Sequence, residues 1–341
     1  MNINIRNEVE LDAELSRPGE ALVQMMKRLD GDIVILGIGG KMGLTLGRMA
    51  AEAVKLSGKQ RRVIGVSRFS DQTARQWLED NGVETICCDL LDADAVASLP
   101  DAANVIFMVG RKFGTAGSEA MTWGVNMVTS ANAARRYAKR NMVVFSTGCV
   151  YPLADVTGGG CLETTPPNPI GEYAQSCLGR ERIFQYFCET QKTPMSICRL
   201  NYAIDLRYGI MHDIARWIWE GKPVPLNVPV FNCIWQRDAN ERALLCLEHC
   251  TVPADILNVT GSETLQVKEV AQELGKHLDR SVNFSGKSGK AYLSDATESI
   301  RRFGSPTMSV EAMIDATASW IKKDGITLNK PTHFEVSNGE Y

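Results

Sequence analysis

The run Ile35-Leu36-Gly37-Ile38-Gly39-Gly40-Lys41-Met42-Gly43 constrains this chain more than any other segment. It stands between a short β-branched stretch, Asp32–Leu36, and a helical pattern from Met42 to about Leu56. Glycines at this spacing carry weight as a dinucleotide fingerprint only when a strand precedes them and a helix follows. Gly37 then permits the tight turn, Gly40 lets the backbone approach a pyrophosphate, and Gly43 lets the helix lie close to the sheet. The helix start offers unbonded N–H groups and the positive end of its dipole to phosphate oxygens. Gly39, Lys41 and Met42 belong to the same loop. A plain strand–turn–helix junction is the bland alternative.

The alternation continues. Arg62–Val66, Glu84–Cys88, Asn104–Val109, Met142–Ser146 and Met195–Leu200 read as strands. Helical patterns lie between them, at Gln72–Asn81, Ala120–Arg140 and Tyr173–Thr190. Strands alternating with helices build right-handed βαβ units and a parallel sheet covered on both faces. The expected fold class is therefore α/β: a Rossmann-type doubly wound parallel sheet with a smaller C-terminal substrate lobe. Residues 1–31 read as an N-terminal helical extension that packs on the main domain or on a partner. Leu22, Met25, Met26 and Leu29 form its apolar face, Ser16 and Pro18 its start, and Gly31 its stop. Residues 32–200 are assigned to the dinucleotide-binding domain, with 230–250 returning to it. The lobe takes 201–229 and 251–325, with helices at Asp213–Glu220, Val267–Leu278 and Val310–Lys323, and 326–341 read as a tail. Arg237–Cys250 reads as a helix.

Composition excludes several classes. The 341 residues carry 37 basic and 40 acidic side chains, a net charge of −3. That balance lacks the electrostatic footprint of a nucleic-acid or anionic-membrane binder. No apolar run approaches the ~20 residues of a membrane span. Ten cysteines include no Cys-x-x-Cys pair, and four histidines complete no zinc pattern. With an acidic N-terminus lacking an apolar core, they read as reduced, mostly buried side chains of a cytoplasmic protein. No metal is expected.

The second strand bears on the cofactor. An NAD site usually ends this strand with an acid that binds the ribose 2′-hydroxyl. Here it ends Gly65-Val66-Ser67-Arg68. Arg68 suits a 2′-phosphate through paired N–H bonds, with Lys41 adding positive charge nearby, so NADP is expected over NAD.

From Asp32 to Lys323 these motifs resemble the extended short-chain dehydrogenase/reductases of the NAD-dependent epimerase/dehydratase family. Gly37, Gly40 and Gly43 have the family's spacing. Cys88-Asp89-Leu90 resembles its third-strand segment, where an Asp lies by the adenine. Phe145-Ser146-Thr147-Gly148-Cys149-Val150-Tyr151 resembles its fifth-strand motif, in which the catalytic Ser or Thr, here Thr147, precedes the Tyr by four residues. Glu163–Pro169 resembles the loop before the catalytic helix. Tyr173 aligns with the catalytic Tyr of a Tyr-x-x-x-Lys helix. The C-terminal end of the fourth strand, where ligands bind in this fold, puts Val109 and Gly110 beside the cofactor and Arg111 within reach of the substrate; the resemblance makes Asn201, Trp235 and Arg237 further candidate substrate contacts, and implies a homodimer paired through helices 120–140 and 173–190.

Gly148 and Cys149 stand where the family's dehydratases carry an acid–base pair, Tyr202 stands where the family usually has Asn, with Asn201 one place early, and, most consequentially, Cys177 stands where the catalytic Lys is expected. A lone Tyr ionises near ~10, so its phenolate is scarce at neutral pH. Lys112, or failing it Arg111, both at the C-terminal end of the fourth strand, is the expected substitute cation, with Arg180 a weaker third. Tyr173 would then give a proton to a sugar-type carbonyl that Thr147 orients. Two readings stay open: an NADP-dependent oxidoreductase or epimerase of a sugar-like small molecule, and a catalytically silent NADP-binding sensor or scaffold.

Overall fold

The computed structural model describes residues 5–112, 117–287, 289–336 and 339. The first four residues of the extension, Phe113 and the last residues of the tail fall outside that description. Seven strands form one parallel sheet: β1 Ile33–Leu36, β2 Val63–Ser67, β3 Glu84–Cys87, β4 Asn104–Phe107, β5 Asn141–Thr147, β6 Met195–Leu200 and β7 Asp255–Val259. Their order is β7-β6-β5-β4-β1-β2-β3, so the chain winds outward in both directions from β1. The order reverses between β1 and β4, and a crevice opens there at the strands' C-terminal ends, where ligands bind in such sheets. All four residues of β1 and of β4 are buried, as strands covered on both faces must be. The fold class read from the sequence is the one observed.

β7 corrects the expected boundaries. Residues 255–259 were assigned to the lobe, yet they pair in parallel with 196–200 as the sheet's last strand. Residues 230–231 pair with Leu265–Gln266 inside the lobe, and Trp235 stays in the lobe core, so the return to the main domain is carried by Ile234 and helix Gln236–Leu245, which pack beneath the sheet. The helix expected over 120–140 is interrupted: Glu119–Trp123 and Thr129–Arg136 flank a π turn at Gly124–Val128.

The lobe packs helices Ile210–Trp219, Val267–Leu278 and Val310–Lys322 around one apolar cluster that includes Ile214, Phe231, Leu274 and Met313. The extension proves to be two helices, Glu8–Leu15 and Glu20–Arg28, with Ser16 ending the first instead of starting the second. Leu11 and Leu15 join the lobe core, whereas Leu22, Met25, Met26 and Leu29 join the cluster beneath the sheet. The extension thus spans both bodies. Buried Arg207 fastens the first helix to the lobe through Glu8, Asp12 and Asp205, each at 2.9 Å.

The tail is likewise ordered over 326–336. Phe334 is buried against Trp217, their rings 5.6 Å apart. Thr332 donates from both its N–H (2.7 Å) and its hydroxyl (2.6 Å) to one oxygen of Asp213. That carboxyl is pushed up to about 6 by burial, which outweighs the two bonds.

Candidate active site

The glycine loop behaves as its spacing implies at two positions. Gly37 has φ +87°, and a Cβ there would stand 2.9 Å from the Val109 nitrogen. Gly43, the first residue of helix Gly43–Ser57, admits no Cβ because the Ile38 carbonyl oxygen would be 2.2 Å away. The close approach at Gly43 is therefore helix to turn, a contact that fixes where the helix N-terminus points. A Cβ on Gly39 would meet the Ser67 hydroxyl at 2.7 Å, which brings the loop against the end of β2. Arg68 is exposed at that end. Asp89, exposed after β3, accepts from the Leu91 N–H (3.0 Å), and the Leu90 carbonyl accepts from buried Asn132 (3.0 Å).

Lys41 departs from expectation. It does not stand beside Arg68: its ammonium lies over the Tyr208 ring, 2.8 Å from the centroid, on the lobe side of the crevice. Burial, reinforced by the charges of Lys112 and Lys330, pushes it down to about 6.

A cavity of about 150 Å³ opens between the C-terminal ends of the sheet and the lobe. Lys41, Met42, Lys112, Thr147, Cys149, Tyr173, Asn201, Tyr202, Tyr208, Gln236 and Thr332 are among the residues that line it. The structure therefore joins Thr147, Tyr173, Lys41, Met42, Lys112 and Asn201 in one place. It does not join Arg111, Trp235 or Arg237. Trp235 is fully buried in the lobe core. Arg237, also buried, donates to the Arg17 carbonyl and to Thr307 (both 2.8 Å). Both hold the architecture together and are withdrawn as substrate contacts.

Thr147 ends β5, and its hydroxyl accepts the Cys149 N–H at 3.1 Å, which leaves the O–H available to donate. Ser146, one residue earlier, donates to Glu181 (2.5 Å). Glu181 also binds Arg199 through Nε (3.0 Å) and Nη2 (2.7 Å), and both partners of this ion pair are almost wholly buried. The pair ties β5, β6 and helix Gly171–Gln191 together, so Thr147 and Tyr173 keep a fixed relation.

Burial and the Cys177 and Cys149 thiols hold the Tyr173 phenol well above its ordinary value near 10. The phenol hydrogen-bonds to Cys177, and the Arg180 guanidinium pulls the other way. Arg180 is buried, donating to the Cys177 sulfur (3.1 Å) and to the Val109 carbonyl (2.6 Å). The expected order of substitute cations is thereby revised. Lys112 reaches the cavity, but its ammonium is held on the Thr332 carbonyl at 3.0 Å. The cation touching the position of the missing Lys is Arg180, whose side chain lies beneath Gly110, 3.0 Å from where a Cβ would stand.

The sequence reading missed Asn126. This residue of the π turn accepts the Arg111 N–H (2.9 Å) and donates to Ser176 (2.8 Å) on the helix of Tyr173. It sets the height of the Gly110–Lys112 segment above that helix. Its only signal was a glycine, Gly124, inside a helical run, where π turns at functional sites are common. Tyr202, Tyr208, Gln236 and Thr332 were also missed, because they reach the cavity from the lobe side and the tail.

The sequence model of the NAD-dependent epimerase/dehydratase family matches residues 33–204, half of the chain. The chain belongs to this family. No curated protein matches it. Solved family members share its architecture at low identity. The dTDP-glucose 4,6-dehydratase of Bacillus anthracis, solved with NAD, has a TM-score of 0.72 at 16% identity, over 86% of this chain and 97% of that one. The UDP-glucuronic acid 4-epimerase of Bacillus cereus, also with NAD, gives 0.70 at 18%, over 86% and 96%. The UDP-glucose 4-epimerase of Thermotoga maritima, with UDP-glucose, gives 0.69 at 16%, over 86% and 99%. Such identities show a common fold. Among the described residues no helix is long and apolar enough to cross a membrane, and no cluster of side chains suits a metal.

Proposed function

We propose that this family member is a nicotinamide-dependent oxidoreductase of a sugar-like small molecule, working toward reduction, with Tyr173 as proton donor. The observation that carries the reading is geometric: Thr147 and Tyr173 meet on one cavity at the C-terminal edge of the sheet. A phenol held above its ordinary value keeps its proton at neutral pH, so it suits an acid and not a base. Thr147 would donate a second hydrogen bond to the same carbonyl oxygen and hold it as charge develops. Arg180, acting through Cys177, would limit how far the phenol's acidity is suppressed.

The cofactor would be held by Gly37, Gly39, Gly40, Met42 and Gly43 with their helix start, by Ser67 and Arg68, by Asp89 and Leu90, and by Val109, Gly110 and Tyr173. The close approaches at Gly37 and Gly39 support this, since a side chain at either would close the cradle. A bound nicotinamide supplies the hydride. NADP remains the proposed form, now resting on Arg68 alone. Arg68→Ala is expected to weaken NADP roughly 10- to 100-fold and leave NAD unchanged; equal NADP affinity in calorimetry contradicts the assignment.

Absorbance change of the reduced cofactor with a panel of sugar-derived ketones and aldehydes tests the chemistry. Wild type should turn over at least one, and Tyr173→Phe should lose about 10²–10⁴-fold while still binding cofactor. The silent-sensor reading is favoured by one observation, the thiol of Cys177 where a Lys would stand. Tight NADP binding with no redox change on any substrate would select it.

We also propose a homodimer through the helices at 119–136 and 171–191. Exposed Met121, Val128 and Tyr186 on these helices support it, and a monomeric mass in solution contradicts it. A reducing, cytoplasmic setting fits ten cysteines of which none is in a disulfide.

A further inference from the structure

The tail crosses from one body to the other over the cavity that holds Tyr173. Its start is fixed to the lobe. The Ile326 carbonyl accepts the Trp320 indole N–H (3.0 Å), and the Leu328 N–H donates to the Arg207 carbonyl (3.1 Å). Its later residues touch both sides of the crevice. Thr332 lines the cavity and is tied to Asp213 of the lobe, while its carbonyl takes the Lys112 ammonium from beyond the end of β4. Glu335 stands near enough to Lys112 to favour its charge. Phe334 sits on Trp217. Buried Gly339 lies against the backbone of Ile170 and Gly171, where the helix of Tyr173 begins.

Between these anchors the tail is loosely seated. Asn329, Lys330 and Pro331 are exposed. A second cavity, of about 170 Å³, lies between them and the Asp213, Arg216 and Trp217 side of helix Ile210–Trp219. Asn329 (φ +50°) and His333 (φ +54°) hold the left-handed backbone that non-glycine residues seldom adopt. Such conformations persist only where the surroundings impose them, and they cluster at ligand clamps and switch regions. Residues 326–336 form no helix or strand. Their hold on the crevice rests largely on Thr332, Phe334 and Lys112. Segments held by few buried apolar contacts open locally at a small fraction of the global unfolding free energy.

We propose that residues 329–336 are a strap that closes the crevice over the Tyr173 cavity, latched by Thr332 and Phe334, and that its release admits small molecules to that cavity. The strap turns at Asn329–Pro331 while 326–328 stay on the lobe. In the closed state Thr332 links Asp213 of the lobe to Lys112 of the main domain, so closure joins the two bodies across the site. The inference concerns access alone and holds whether or not Tyr173 turns over a substrate.

Cys149 lines the same cavity and is in no disulfide, so its alkylation on the full chain reads opening. Cys87, exposed at the end of β3, is the reference in the same molecule. Iodoacetamide and the bulkier fluorescein maleimide are the probes, with each cysteine followed by peptide mass. Thr332→Val combined with Phe334→Ala should speed Cys149 at least about tenfold, the worth of one lost hydrogen bond, and leave Cys87 within about twofold. The gain should be larger for the bulkier reagent. No gain overturns the strap. An equal gain with both reagents overturns it too, since that reports a change in the thiol's own reactivity and not in access. Reaction of Cys198, buried in the core, would show that the variant has unfolded. Hydrogen exchange on the wild type then decides: peptides covering 329–336 should exchange well before helix Val310–Lys322. Exchange of both together means that the segment opens only on unfolding, and overturns the inference.

Discussion

Replacing Glu181 by Leu should destabilise the folded chain by about 3–5 kcal/mol. The substitution keeps approximate volume but leaves the Arg199 guanidinium, almost fully buried, without its counter-charge. Among the described residues, the face of Tyr151, 4.7 Å from its ring centroid, would remain as a favourable electrostatic neighbour of Arg199. The Ser146 hydroxyl would lose its acceptor as well. Desolvation makes such a pair worth little net, so removing both partners is the informative control. Glu181→Leu combined with Arg199→Met should recover most of the loss. Denaturant unfolding of the single and double variants checks this. A loss under about 1 kcal/mol in the single variant, or a double variant no better than the single, contradicts the role given to the pair.

Arg180→Met should slow reduction on the order of tenfold for each unit by which the Tyr173 phenol rises further. The sign follows from the geometry. Arg180 is the cation opposing the burial of Tyr173, and it acts through the Cys177 sulfur. Without it the phenol is a weaker acid and gives up its proton less readily. Arg180 does not line the cavity, so KM for the carbonyl should change little while kcat falls. Arg180→Lys should restore part of the rate, because it returns the charge without the paired donors to Val109 and Cys177. An unchanged kcat, or a rise confined to KM, would make Arg180 a packing residue only.

Much of this molecule is legible in its sequence. β6 and helix Val267–Leu278 fall where the pattern puts them, because each has one uninterrupted periodicity. Thr147, Tyr173 and Lys112 meet in one cavity because residues at strand ends and at the start of the neighbouring helix share the sheet's C-terminal edge. What escaped reading depends on distant partners. β7 carries Asn258 next to its last residue, and the side chain of this buried amide is satisfied by Tyr151, Cys161 and Asp295 from other segments. Arg237 looks like a site cation until the Arg17 carbonyl, far earlier in the chain, is seen to take its Nε. Lys41 sits in the cofactor loop, yet Tyr208 draws its side chain to the other side of the crevice. The tail has no periodicity, and its described residues 326–336 form no helix or strand of their own. It folds onto groups already placed by the lobe, Asp213 and Trp217.

The pH profile of cofactor-dependent carbonyl reduction reads the protonation state of Tyr173 most directly. With the phenol held above its ordinary value, kcat should be nearly constant from about pH 7 to 9, and Tyr173→Phe should lie about 10²–10⁴-fold lower throughout. A wild-type rate that rises with a single ionisation near neutrality, or a Tyr173→Phe variant as fast as wild type, would contradict it.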